Sequence, residues 1–440
     1  MFVSKKLLTF LGMGEYDKVT YVFGEEKMKV KAAQIASALT VVYTEKWTSE
    51  DSIIVFTTPE AKALRWPALE NELLALKKIK DYKWDLKFRM IPNVRNDEDI
   101  REVFRIIVEA LDNRDEVIFD ITHSFRSIPF ISLVAINYAK LIKKVNILRI
   151  IYGVYVENQQ EANILNLSPL NELLELTFSV HSFIKHGDAG GLRDIVTKSG
   201  KDDSYYGKSI ADVFDAVADF SSDISVCRGF PANDDKSWNR KTSFVLAYKA
   251  IKDAIEKAKD TFNKDGTFSE MNLLMQLIED KTQSFNTDDV LMLSLAFIKW
   301  CIDANMIQQG YTALEEALKT FVIVNYKDII KKAVPDAQDK KMLFNQNIRF
   351  EIANKVLTVS AENENNWKIK EQYRSVIKEI IGKVPKDLKS ISWSIKKYRN
   401  SINHMGFAKE RISHEELKDK LKEFYTRFEH LVLEDTRENI

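Results

Sequence analysis

Two short stretches of this sequence concentrate the residue types that do chemistry. The first is Asp120-Ile121-Thr122-His123-Ser124-Phe125-Arg126-Ser127, with six polar residues in eight. Hydroxyls, an imidazole and a guanidinium are groups that grip phosphorylated ligands. The second is Arg399-Asn400-Ser401-Ile402-Asn403-His404. On a helix, Arg399 and Asn403 share one stripe and Asn400 and His404 the next. Such a face carries one permanent cation and one imidazole, a pairing that suits RNA cleavage without a metal. The imidazole serves the 2′-hydroxyl or the leaving oxygen as base or acid, and the guanidinium stabilises charge building on the phosphate.

The setting strengthens the second stretch. From Lys368 to Arg399 there are ten basic and three acidic residues, with Trp367, Tyr373, Trp393 and Tyr398 among them. Cations with interleaved aromatics are what a single-stranded nucleic acid requires, for phosphate neutralisation and base stacking. A solvated helix face with buried aromatics would give the same pattern.

The elements that must position the first stretch alternate between strand and helix. Leu7 to Leu11, Lys18 to Phe23, Ser52 to Thr57, Asp85 to Ile91, Val117 to Ile121 and Val145 to Tyr152 read as strands. Helical patterns cover Lys31 to Ala38, Glu60 to Ile79, Asp97 to Leu111 and Ile128 to Leu141. That rhythm predicts βαβ units and a parallel, Rossmann-like sheet over residues 1–170. Ligands then bind outside the carboxyl ends of the strands, where the next helix aims free N–H groups at anions. Asp120 to Ser127 sits at such a junction, Thr57 and Thr58 close another strand, and Gly153 ends a third. After Ser168-Pro169 the strand rhythm stops. Residues 171–285 read as a helical connector, with a Ser/Asp/Asn-rich loop near Phe230 to Lys241. Residues 286–440 read as an all-α module that carries the second stretch on a helix from Ser390 to His404.

Other motifs narrow the chemistry. Gly12-Met13-Gly14 ends the first strand and allows close backbone approach to a ligand. A dinucleotide fingerprint would need a third glycine where Asp17 stands, and an acid there repels pyrophosphate. The hydroxyls of Thr57 and Thr58 can bond phosphate oxygens or cap the helix after Pro59. The first stretch lacks the flanking glycines of an esterase elbow, and no His-x-x-x-His or acid–His pair repeats at metal-ligand spacing.

Composition bounds the rest. The 440 residues carry no formal net charge, so a nucleic-acid site must be a local patch. Cys227 and Cys301 stand far apart, which fits a reducing compartment better than a disulfide framework. The run Leu7 to Leu11 is too short for a signal peptide. No apolar run reaches the ~20 residues of a membrane-spanning helix. The expectation is a cytoplasmic protein without membrane contact.

Together the two stretches resemble the CRISPR-associated CARF–HEPN ribonucleases of type III systems. Asp120 to Arg126 is similar to their DxTHG signature, with Ser124 in place of glycine, and Leu11-Gly12-Met13-Gly14-Glu15-Tyr16 is similar to a first-strand sequence of one branch. Arg399 to His404 matches the HEPN nuclease motif, and Trp300 to Glu316 looks like early HEPN helices, with Gln308, Gln309, Gly310, Tyr311, Glu315 and Glu316.

The resemblance implies an N-terminal CARF sensor and a C-terminal HEPN nuclease. The activator would be cyclic oligoadenylate, cyclic tetra-adenylate first and cyclic hexa-adenylate second, with no other cofactor and no metal. Its pocket would draw on Gly12, Met13, Gly14, Thr57, Thr58, Asp120, Thr122, His123, Ser124, Phe125, Arg126, Ser127 and Gly153. Arg399 and His404, with Asn400, would form a composite site across a homodimer, or a higher oligomer, cutting single-stranded RNA to a 2′,3′-cyclic phosphate. Some CARF domains of this group also cut their activator, and Thr58, Thr122 and Ser124 are the candidates for assisting that here. Two alternatives remain open: a ligand-responsive transcription regulator with a helix-turn-helix in residues 190–290, and a catalytically idle dimerisation module.

Overall fold

The computed structural model describes residues 3–15, 17–24, 28–123, 127–154, 160–199, 207–230, 243–265, 269–359, 367–404, 407 and 411–438. They fall into two compact units, Met1–Leu173 and Leu174–Ile440.

The first unit is built on strands β1 (Lys5–Leu11), β2 (Val19–Phe23), β3 (Met28–Ala32), β4 (Ser52–Thr57), β5 (Asp85–Met90), β6 (Glu116–Asp120), β7 (Asn146–Val154) and β8 (Glu161–Asn166). They form one sheet in the order β3-β2-β8-β7-β6-β1-β4-β5. Helices α1 (Ile35–Tyr43) and α2 (Pro59–Ile79) cover one face, α3 (Asp97–Glu109) and α4 (Ile128–Lys143) the other. Alternation along each strand feeds both cores: Leu7 and Ile53 pack with α1 and α2, Leu8 and Ile54 with α3 and α4. Covered on both faces, β1 and β4 are apolar almost throughout. From β1 the chain crosses to β2 and β3 at the far edge, comes back to β4 and β5 on one side of β1, and then continues to β6 on its other side. The β1/β6 boundary is therefore the switch point at which open α/β sheets bind ligands.

The sheet differs from the expected parallel one in two places. Of the helix expected over Lys31 to Ala38 only the second half is helical: β3 runs to Ala32 and α1 starts at Ile35. As an edge strand β3 exposes Lys29 and Lys31, which deter edge-to-edge pairing and read in sequence like a solvated helix. Strand β8 was not expected, because it is short and turns Glu161 and Asn163 outward. Both elements bring antiparallel pairs, β2 with β3 and β7 with β8, so the sheet is mixed. Gly153 lies within β7 rather than after it.

The second unit is helical. Helix α5 (Ser168–His186) leads into it, followed by α6 (Gly190–Ser199), α7 (Gly207–Ser225), α8 (Phe244–Asp265), α9 (Ser269–Thr282), α10 (Val290–Asp303) and α11 (Ile307–Asn325). Short helices α12 (Lys327–Lys331) and α13 (Asp339–Met342) precede a π-helical turn, Ile348–Ala353, that runs into α14 (Asn354–Val359). Helices α15 (Glu371–Lys383), α16 (Lys386–Asn403) and α17 (His414–Glu438) end the chain. One core joins α10, α11 and α14 to α17, with Tyr311, Leu314, Ile377, Ile395, Leu421 and Phe428 inside it. A side chain at Gly310 would come within 2.6 Å of Leu421, so this glycine lets α11 and α17 approach. Among the described residues no helix is long and apolar enough to cross a membrane.

Helix α7 buries two carboxylates one turn apart, Asp219 and Asp223. Asp219 pairs with Arg193 at 2.7 Å. Burial and the charge of Asp219 push Asp223 up to about 6, against the Ser243 N–H and Arg228. A carboxyl raised on folding contributes stability at pH below its unfolded value, and that contribution is lost as pH rises through about 6. Replacing Asp223→Asn therefore raises the thermal midpoint at about pH 7.5 by roughly 2–4 °C and gives no gain near pH 4. Scanning calorimetry at the two pH values checks both halves.

Candidate functional site

Parallel pairing places the β1 and β6 ends side by side. Leu8 stands opposite Phe119, so the next residues, Thr9 and Asp120, are neighbours on one face. Asp120 is fully buried, and a buried carboxylate must be matched by donors. The Thr9 Oγ1 hydroxyl donates to one carboxylate oxygen at 2.6 Å. The Thr122 backbone N–H at 3.0 Å and its hydroxyl at 2.5 Å donate to the other. This closes an Asx-turn where β6 ends. The Thr122 hydroxyl in turn accepts from the Gly153 N–H of β7 at 2.8 Å. A side chain at Gly153 would meet Ile35 at 2.6 Å and Thr122 at 3.2 Å, so glycine is what lets these strands hold the turn.

His123 follows on the turn. Burial pushes its imidazole below the usual value, opposed by the Asp120 charge. Burial likewise pushes Asp120 above the ordinary carboxylate range, opposed by His123 and the three donors. Ser127 is the N-cap of α4 and makes no side-chain capping bond. Ser124, Phe125 and Arg126 lie outside the described residues.

The neighbouring strand ends complete the rim. Gly12 is half-buried, and Met13 and Gly14 are exposed. Arg65 of α2 donates to the Met13 carbonyl at 3.1 Å and pairs with Glu15. Thr57 and Thr58 are buried. Thr58 caps α2 by accepting from the Ala61 N–H at 3.3 Å, and the Thr57 hydroxyl donates to the Thr58 carbonyl. Gly14 also lines a cleft of about 790 Å³ between α1 and α2. Its wall mixes Lys18, Lys31 and Arg65 with Glu15, Asp17 and Glu72.

In the helical unit the motif residues occupy the end of α16. The Arg399 guanidinium donates to the Glu315 carboxylate of α11, while its Nε–H is buried without a partner among the described residues. Lys319, itself buried, reaches Glu315 at 3.3 Å and Glu316 at 2.6 Å. Arg349 meets the other oxygen of Glu316 at 2.6 Å. A chain of alternating charges thus runs Arg349–Glu316–Lys319–Glu315–Arg399. Burial pushes Glu316 upward, but the Lys319 bond and the Arg349 charge outweigh it and leave the carboxyl below its ordinary value. Glu316 and Arg349 also wall a cavity of about 320 Å³ lined by Phe230, Phe244, Phe297 and Phe344. Asn400 is exposed, and so is His404, the C-cap of α16, whose N–H donates to the Asn400 carbonyl at 3.1 Å. Tyr398 stacks on Tyr311 and its hydroxyl donates to Glu416, fixing α16 against α11 and α17.

Residues 6–159 match the family model described as "CRISPR system endoribonuclease Csx1, CARF domain". Over those residues the chain is similar to a CARF domain. The matched region holds β1 to β7 and the Asp120 turn, and β8 lies beyond it. The CRISPR-associated protein MJ1674 of Methanocaldococcus jannaschii is 25% identical over 221 residues, 49% of this chain. The match spans only 30% of that relative's length. The solved structure of Enterococcus italicus Csm6 bound to cyclic hexa-2′-fluoro-hexa-dAMP aligns over 97% of this chain and 94% of that one, at a TM-score of 0.44 and 10% identity. A likeness that loose leaves the helical unit to be read from its own residues.

Thr9, Lys319 and Arg349 were not foreseen as site residues. Thr9 had a signal: it is the one polar residue in Leu7-Leu8-Thr9-Phe10-Leu11. Lys319 and Arg349 had none, since a lysine inside a helix reads as solvated. Valine keeps the shape of Thr9 but removes its donor to the buried Asp120. Thr9→Val is expected to destabilise the CARF domain by about 1–3 kcal/mol, read from urea unfolding. A midpoint equal to wild type would show that Asp120 does not depend on this bond.

Proposed function

We propose that this CARF protein is an endoribonuclease gated by cyclic oligoadenylate. The observation that carries the reading is the end of α16, where Arg399 is held half-buried by Glu315 and His404 stands exposed five residues on. The helical unit beyond residue 285 is read as a HEPN module, and residues 171–285 as the segment joining it to the CARF sensor. In RNA the 2′-oxygen attacks the adjacent phosphorus, the bond to the 5′-oxygen breaks, and a 2′,3′-cyclic phosphate remains. His404 takes the 2′-hydroxyl proton or supplies one to the departing 5′-oxygen, and the free edge of Arg399 binds the phosphoryl oxygens. Asn400, exposed on the same turn, is placed to hydrogen-bond the strand.

Five residues separate Arg399 from His404, about 140° around a helix. One chain therefore turns them to different sides, which supports a site shared by two copies. The CARF domain offers a surface for such pairing. On α4, Phe130, Val134, Tyr138 and Leu141 form one apolar stripe, with Phe130 72% and Leu141 78% exposed. A continuous exposed stripe of this kind marks an interaction face, and a self-complementary contact there is what a two-fold dimer uses. The activator is taken to be cyclic tetra-adenylate, with cyclic hexa-adenylate second, bound across the paired β1/β6 ends at Gly12 to Gly14 and at Asp120 to Ser127. Binding would then shift the nuclease geometry through a coupling free energy between separate sites.

Fluorescent single-stranded RNA, a panel of cyclic and linear oligoadenylates and excess chelator test the reading. The wild type is expected to cut with one cyclic activator in chelator. His404→Ala is expected to lose at least about a hundredfold of that rate and to keep activator binding. Cutting by His404→Ala at the wild-type rate would remove the nuclease assignment. A charge in the α4 stripe tests the pairing: Leu141→Asp should yield monomers in sedimentation without lowering the thermal midpoint, whereas an unchanged dimer would place the contact elsewhere.

A further inference from the structure

Four aromatics accompany the basic strip of residues 367–399, and the structure separates them. Tyr373 and Tyr398 are buried and Trp367 is packed against the core. Trp393 is 69% exposed. It lies on α16, whose buried face runs through Leu388, Ile391, Ile395 and Tyr398. At about 100° per residue, Trp393, Lys397, Asn400 and His404 fall within roughly 60° of arc on the opposite face, with Lys396 at its edge. All five are exposed. The rise of the helix puts Trp393 about 16 Å from His404.

We infer that Trp393 is a base-stacking platform, and that the face from Trp393 to His404 is the track along which single-stranded RNA reaches the cut. The inference rests on the reading of Arg399 and His404 as an RNA-cutting pair. An indole in water beside two ammonium groups combines the two features that single-strand binding requires, a flat surface and a neutraliser for the backbone. Lysine stems do not stack, so the indole supplies what Lys396 and Lys397 lack. The charge of the face argues against a second copy as its occupant. In α16, Lys386, Lys389, Lys396 and Lys397 stand against the single carboxylate Asp387, which is committed to Arg427 as Arg399 is to Glu315. Pairing the Lys386–Lys397 stretch with itself would set lysines against lysines, so a second copy is expected only at the His404 end, where the shared site lies.

Binding separates the inference from the nuclease reading. Full-length His404→Ala protein, with saturating cyclic tetra-adenylate and without it, is titrated into a labelled single-stranded oligoribonucleotide and followed by anisotropy. Adding Trp393→Ala should raise Kd about tenfold, while Trp393→Phe, which keeps a ring, should stay within about threefold of the parent. Unchanged affinity in Trp393→Ala overturns the inference. So does absence of RNA binding by the parent, and so does a change of sedimentation in Trp393→Ala with RNA affinity intact, which would assign the face to a protein contact. Wild-type protein assayed alongside for cutting reports on the nuclease reading separately. A protein that fails to cut but loses RNA binding with Trp393→Ala keeps the track and loses the chemistry.

Discussion

A buried carboxylate has to be satisfied donor by donor, and the middle of the CARF sheet is arranged around that demand. Asp120 sits at the carboxyl end of β6 with no exposure. Its donors come from β1 and from the turn that follows it. The bond from Gly153 to Thr122 ties the same turn to β7. Three strand ends are thereby tied together at the switch point. Asp120 and Thr122 spend their polar groups on each other and on the sheet.

The helical unit solves a comparable problem with ions. A desolvated cation is costly unless it is paired, and Lys319 is buried between Glu315 and Glu316. Arg349 and Arg399 cap the two ends of the series. Removing one member would strand its neighbour in low dielectric, so the series sets the Arg399 side chain in one place. His404 has no comparable constraint. It caps a helix and faces water.

Helix α4 links two properties of the CARF domain. Its N-terminus follows the Asp120 turn, with Ser127 leaving the first-turn N–H groups without a side-chain cap. Its outward side carries the apolar stripe from Phe130 to Leu141. A ligand at the turn and a partner on the stripe would therefore act on the same rigid element, which is the kind of shared body that couples binding to assembly.

Much of this was legible in the sequence. Continuous apolar runs reveal β1, β4 and β6 because strands covered on both faces must be apolar, and polar residues crowded at a strand end mark a site for the same reason. The Arg399 to His404 spacing could be read because helical period is a local property. The edge strand β3 and the short β8 could not, since their identity depends on neighbours that pair with them. Tertiary structure alone decided which polar groups are buried together: Thr9 with Asp120, Lys319 between two glutamates, Glu315 on Arg399. It also decided that Trp393 faces water while Tyr398, five residues on, lies in the core. Sequence determines which way a side chain points around its own helix, and only packing determines what, if anything, lies on that side.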